Sequence, residues 1–147
     1  MAGNLGHLII PAPRPSAPAD DLWQHTCFEL FAKSIDGVAY REFNFSPDSR
    51  WAAYAFGSYR ERSTDGPSVS LAPPTCQIFG DCLELTAVVP GAWLPSRTPL
   101  RLGLTAVLEA RDGRLSYWAL THHGPRPDFH DPRGFILAYP EFARSSP

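Results

Sequence analysis

An all-β fold of two packed antiparallel sheets is what this chain of 147 residues predicts, on three observations. Sixteen prolines and eleven glycines cut it into pieces too short for long helices. Between them the apolar residues fall in strand-length runs, and no window repeats with the 3.6-residue period of a helix. Three tight turns carry Asp-Gly or Gly-Asp between such runs, the chemistry of β-hairpins.

The elements follow in order. Residues 5–10, "LGHLII", read as a short strand. Residues 11–21 form a Pro-rich connection, extended and poor in hydrogen-bond donors. Strands are then expected at 25–33, 38–45, 50–56, 75–79, 82–89, 100–109, 114–121 and 135–139. One helical turn is expected within 88–96, and 140–147 reads as a tail. "IDGV", 35–38, places Asp36-Gly37 as a two-residue type I′ turn. Pairing Ile35 with Val38 sets Leu30 opposite Phe43, Phe28 opposite Phe45, Glu29 opposite Asn44 and Phe31 opposite Glu42. One face is then a phenylalanine and leucine wall and the other largely polar, which agrees with a single register. "RDGR", 111–114, read the same way, sets Val107 against Trp118 and Leu108 against Tyr117. Both faces are apolar there, which places this pair centrally and Trp51, Tyr117 and Trp118 in the core. "FGDC", 79–82, suits a II′ turn. It puts Ile78 and Cys76 with Leu83 and Leu85 on the core face, and Cys76 and Cys82 on opposite faces, unable to form a disulfide. "SPDSRW", 46–51, reads as a turn with Pro47 at its second position, and Trp93 as an edge plug.

The bulk properties narrow the function. The length suits one domain over 1–147, and 44% hydrophobic residues supply its core. A net charge of −2, from 13 basic and 15 acidic residues, argues against nucleic acid or an anionic membrane as partner. No apolar run approaches the roughly 20 residues of a membrane span. The N-terminus lacks the basic start and apolar stretch of a secretory signal, so a cytoplasmic protein is the default expectation. Three cysteines without a CxxC make neither a zinc ribbon nor a disulfide scaffold.

Three segments in order, "WQHTCFELF" (23–31), "YREFNFSPDSRWAAYAF" (40–56) and "SYWALTHHGPRPDFHDPRGF" (116–135), resemble the bacterial DOMON-like domains related to family 9 carbohydrate-binding modules. The likeness covers roughly residues 5–140. It implies an immunoglobulin-like or jelly-roll-like β-sandwich that binds a sugar without catalysis. In the sugar-binding modules a Trp is followed six residues later by a Glu in the next strand, and Trp23 and Glu29 hold those positions. A sugar-contacting Arg is matched by Asn44. A second Trp, which closes a stacking clamp, is matched by Phe129. Relatives begin earlier, with one or two further N-terminal strands. Two readings stay open: either the sequence starts late relative to that family, or the sandwich has an open edge, available for a homodimer contact.

The expected ligand site is Trp23 and Phe129 as stacking rings, Glu29 and Asn44 bonding hydroxyls, and His25 and His130 at the rim. The register alone makes Glu29 and Asn44 cross-strand neighbours, about 5 Å apart at Cβ. An unbroken strand would hold Trp23 about 20 Å from Glu29, at roughly 3.3 Å per residue. The chain must therefore bend before about Thr26. His122, His123, Asp128, His130 and Asp131 crowd one loop, but adjacent histidines on a strand point to opposite faces and the spacing matches no metal motif, so no metal is expected. The expected role of Asp128 is to brace its turn. Cys27 stands two residues from His25 and from Glu29, about 6.6 Å along a strand, too far for thiol activation. No GxSxG, HExxH or phosphate loop is present, so no catalytic residue is expected. No cofactor is expected either. Haem stays as an alternative, since other DOMON relatives bind it. Met1 is the only methionine, and bis-His ligation by His25 with His122 or His130 has no spacing support. A protein-interaction module working through the open edge strand is the other alternative.

Overall fold

The structure, a computed structural model, describes residues 4–64, 70–95 and 99–139; the expected tail at 140–147 lies outside them. Its strands are β1 (Cys27–Ser34), β2 (Tyr40–Phe45), β3 (Trp51–Ser58), β4 (Glu61–Ser63), β5 (Thr75–Phe79), β6 (Cys82–Thr86), β7 (Leu100–Glu109), β8 (Leu115–Ala119) and β9 (Leu137–Tyr139). Seven of them form one antiparallel sheet in the order β4-β3-β2-β1-β7-β8, with β9 pairing the other half of β7. β5 and β6 form a separate hairpin. The all-β sandwich is thus a large sheet with a two-stranded second layer.

Side chains alternate across the large sheet, so it has two working faces. On the first, Leu30, Phe43, Phe45, Trp51 and Ala53 pack against Leu71, Leu85, Ala87, Val89 and Trp93. Trp93 lies in the expected helical turn, a 3-10 turn over Gly91–Trp93, and plugs this layer. On the second, Phe31, Tyr40, Phe56 and Phe135 form a buried aromatic cluster. Tyr40 and Phe56 stack at 4.7 Å, and Phe31 and Phe135 at 5.4 Å. Each such side chain contributes about 1.5–3 kcal/mol by burial.

The β1–β2 register is the one expected: Phe28 with Phe45, Glu29 with Asn44, Leu30 with Phe43 and Phe31 with Glu42. The turn that closes it is not type I′. Gly37 keeps a negative φ and donates to the Ser34 carbonyl, and Lys33 Nζ holds the loop by donating to the carbonyls of Ser34, Ile35 and Gly37. The phenylalanine pattern, not the turn, selects this register. The β7–β8 hairpin differs by one residue: Val107 pairs with Tyr117, and Ala106 with Trp118. Gly113 sits at φ 82° and donates to the Ala110 carbonyl, so the loop has three residues and a bulge. Each β8 side chain therefore changes face. Nor is this pair central. β8 is an edge, the second layer does not cover it, and Trp118 is 61% exposed rather than in the core. Tyr117 is also exposed. The β5–β6 register and the positive φ of Gly80 are as expected for a II′ turn, though Ile78 stands largely in solvent; the three thiols are free.

Residues 5–10 are not a strand. Leu5–His7 is a 3-10 turn capped by Asn4, followed by a single bridge from Leu8 to Ala110. The Pro-rich connection runs beside β3, where Ala19 donates to the Trp51 carbonyl and Trp51 to that of Ala17. It thereby covers the part of the β3 edge that short β4 leaves open. Buried Asp48 anchors it, accepting Arg14 at 3.2 Å and Arg50 at 2.8 Å within the expected "SPDSRW" turn.

Gly103 faces the aromatic cluster, and a Cβ there would meet the Phe135 ring at 2.7 Å. Gly103→Ala should push Phe135 off Phe31 and destabilise the fold by about 1–3 kcal/mol, read as a lower urea midpoint.

Candidate functional site

"LWQHTCFELF" is broken as its distances require. Leu22–Gln24 is a 3-10 turn entered through Asp21 at φ 58°, and β1 starts only at Cys27. Leu22 is buried as the anchor, while Trp23 stays 43% exposed and turns over the second face of the sheet. There it borders a cavity of about 770 Å³, together with Glu29, Glu42, Tyr117, Phe129 and His130. Phe56, Arg60, Arg62 and Arg126 border it as well.

The floor is acidic and buried. Glu29 and Glu42 are each 5% exposed, and Asn44 is fully buried. Asn44 Nδ2 donates to Glu42 Oε1 at 2.9 Å, and Thr105 Oγ1 donates to Glu29 Oε2 at 3.1 Å. Asn44 Oδ1 has no partner among the described residues. Burial first, and Glu42 second, push the Glu29 carboxyl up from 4.5 to about 8. Burial also raises Glu42, against the pull of Asn44, Arg62 and Arg60. Cys27 is sealed beneath, its thiol raised well above its ordinary value by burial and then by Glu29, which leaves it inert.

The wall is held by one loop. Asp128 accepts Tyr59 Oη at 2.6 Å, Arg60 Nη2 at 2.9 Å and the His130 amide at 3.1 Å. It thus braces its turn and ties the loop to the β3–β4 turn. Burial alone would raise the Asp128 carboxyl, but these bonds outweigh it and hold the group low. His130 is not at the rim. Its ring sits edge-on to Phe31 and Phe56, and Nδ1 lies 2.7 Å from Tyr40 Oη. Tyr40 Oη also accepts the Arg60 amide, and His130 Nε2 lies 3.7 Å from Glu42 Oε2. Burial, and after it Arg60, lowers His130 from 6.5 to about 4. Phe129 packs against Tyr117 at 6.0 Å and His122 at 6.4 Å.

The fold therefore brings Trp23, Glu29, Phe129 and His130 together, with Asn44 directly behind. It leaves out His25, which points away and pairs with Glu109 at 2.9 Å. Face parity with Asn44 marks Glu42, two residues before it on β2. Tyr117 is hidden from the sequence by the one-residue register difference, and Arg60 and Arg62 by the shortness of β4. Among the described residues no group of three His, Cys, Asp or Glu could hold a metal ion, and no helix is long and apolar enough to cross a membrane. No family model, curated protein or solved structure matches the chain.

The raised Glu29 carboxyl gives stability a pH slope. Below 4.5 both folded and unfolded chains hold the proton; above it the unfolded chain releases the proton first, and stability falls until about pH 8. His130 opposes this only below 6.5, where the unfolded chain binds the extra proton. Between pH 6.5 and 8 the unfolding free energy should therefore fall by about 1–2 kcal/mol, read as a lower urea midpoint, and Glu29→Gln should flatten that interval.

Proposed function

We propose that this chain is a non-catalytic, DOMON-like module that binds a small polyhydroxylated ligand, a carbohydrate, in the cavity over β1 and β2. One observation carries the reading: buried Glu29 and Glu42 form the floor of a cavity that Trp23 and Phe129 border. Carboxyl groups and an amide at the floor suit hydroxyls, which both donate and accept. Aromatic rings suit the C–H faces of a sugar. A cavity of about 770 Å³ has room for one or two rings. Affinity is modest, since each net hydrogen bond contributes only about 0.5–1.5 kcal/mol.

Trp23 is the stacking platform. It stands on a turn anchored by Leu22, so its removal costs the fold little. In calorimetric titration against a panel of hexoses and disaccharides, Trp23→Ala should weaken binding at least tenfold with an unchanged melting temperature. Undiminished binding by the variant, or no binding by the wild-type chain to any member, would overturn the reading. A fall in melting temperature would make Trp23 a core lid instead.

A further inference from the structure

The two floor carboxylates are not equivalent, and the difference points to a ligand chemistry. Glu42 accepts Asn44 Nδ2 at Oε1, and His130 Nε2 lies 3.7 Å from its Oε2, beyond hydrogen-bond reach. Arg60 and Arg62 also act on it. Glu29, 95% removed from solvent, has a single neutral partner, the Thr105 hydroxyl at Oε2. No described residue bonds its Oε1, and it borders the cavity. A carboxylate buried without a countercharge is costly, so the group keeps its proton, and an incoming cation can take that proton's place.

The charged and titratable groups around it supply none. On β1 the neighbour is Cys27, a neutral thiol. From β2 come Glu42, which repels, and Tyr40; β7 offers only Thr105. On the far wall Arg60 is held by Asp128 and Tyr59, and Arg62 stacks on Tyr54 with its guanidinium 3.9 Å from the ring centre. Arg126 stands exposed at the mouth, and His130 carries no charge near neutrality. The aromatic rings of Trp23, Tyr117 and Phe129 border the same cavity, and a cation can rest against such rings.

We propose that the ligand carries a primary amine, an amino sugar rather than a neutral one, whose ammonium binds Glu29 Oε1 beneath Trp23. This rests on the carbohydrate reading above and names its substrate class. The ammonium displaces the carboxyl proton to solvent, so binding releases up to one proton. The bond formed is an ion pair, with no covalent change.

The experiment is calorimetric titration of the whole chain at pH 7 with glucosamine, galactosamine and mannosamine, their N-acetyl forms and the parent hexoses. N-acetylation keeps the ring and removes the charge. At least one amine should bind about tenfold or more tighter than its acetylated and neutral counterparts. Its heat should vary with the ionisation enthalpy of the buffer, as proton release demands. Glu29→Gln should abolish both the preference and the buffer dependence, while leaving the melting temperature at pH 7 no lower. Equal binding of amine, acetyl form and hexose would overturn the amine assignment and leave the carbohydrate reading standing. Binding of none of the three classes would sink both.

Discussion

Two carboxyl groups buried side by side on one sheet face constrain this molecule more than any other feature. Glu29 and Glu42 lie on adjacent strands, diagonal across Asn44, and each opposes ionisation of the other. Bare burial of both would cost several kcal/mol. Their surroundings are arranged to reduce it. Asn44 donates to one and Thr105 to the other, His130 directs Nε2 toward Glu42, and one carboxyl holds its proton to about pH 8. A β1–β2 slip by one residue would separate these groups and turn Phe28 and Leu30 onto the wrong face. The same pairing therefore builds the core and the acidic floor.

Around that floor the second face is aromatic rather than polar. His130 stands among Phe31, Tyr40 and Phe56 as one more ring, with its basicity suppressed by burial. Tyr40 links the β3–β4 turn to the loop of Asp128 and His130 by a single hydroxyl, which accepts from Arg60 and hydrogen-bonds His130 Nδ1. Asp128 closes the circuit by holding Arg60 and Tyr59. The loop that carries Phe129 is thus tied to rigid strands at several points, and a ring on it can serve as a fixed wall.

The sheet was legible in the residues where two signals agreed. For β1 and β2 the Asp-Gly pair and the alternation of Phe28, Leu30, Phe43 and Phe45 both specified one register, and it holds although the turn type does not. For β7 and β8 both faces are apolar, so the turn spoke alone. Its extra residue carried Tyr117 into the cavity and Trp118 out to solvent. Trp23 and Glu29 could be joined because the distance along a strand forbade any unbent path. His25 lies in that bend before β1, where strand alternation has no hold on it, and pairs with Glu109 instead. Glu42 was readable from parity with Asn44. Arg60 was not, since its position depends on a left-handed turn between two strands, one of only three residues.

Backbone strain touches this cavity at one residue directly and at another through the turn it precedes. Three non-glycine residues among those described have positive φ: Asp21, Ser49 and Arg60. Asp21 immediately precedes the turn that delivers Trp23, and Arg60 itself borders the cavity. Left-handed backbone at a residue with a Cβ costs on the order of 1 kcal/mol. A fold selected for stability alone would place glycine or asparagine there and an apolar pair where Glu29 and Glu42 stand. Here buried carboxyls, an unpartnered Asn44 oxygen and the left-handed Arg60 gather at one cavity, while the opposite face is packed from leucine, phenylalanine and tryptophan. The aromatic core offsets what the cavity costs. Buried polar groups gathered at one cavity of an otherwise consistent fold are what support the ligand-binding proposal.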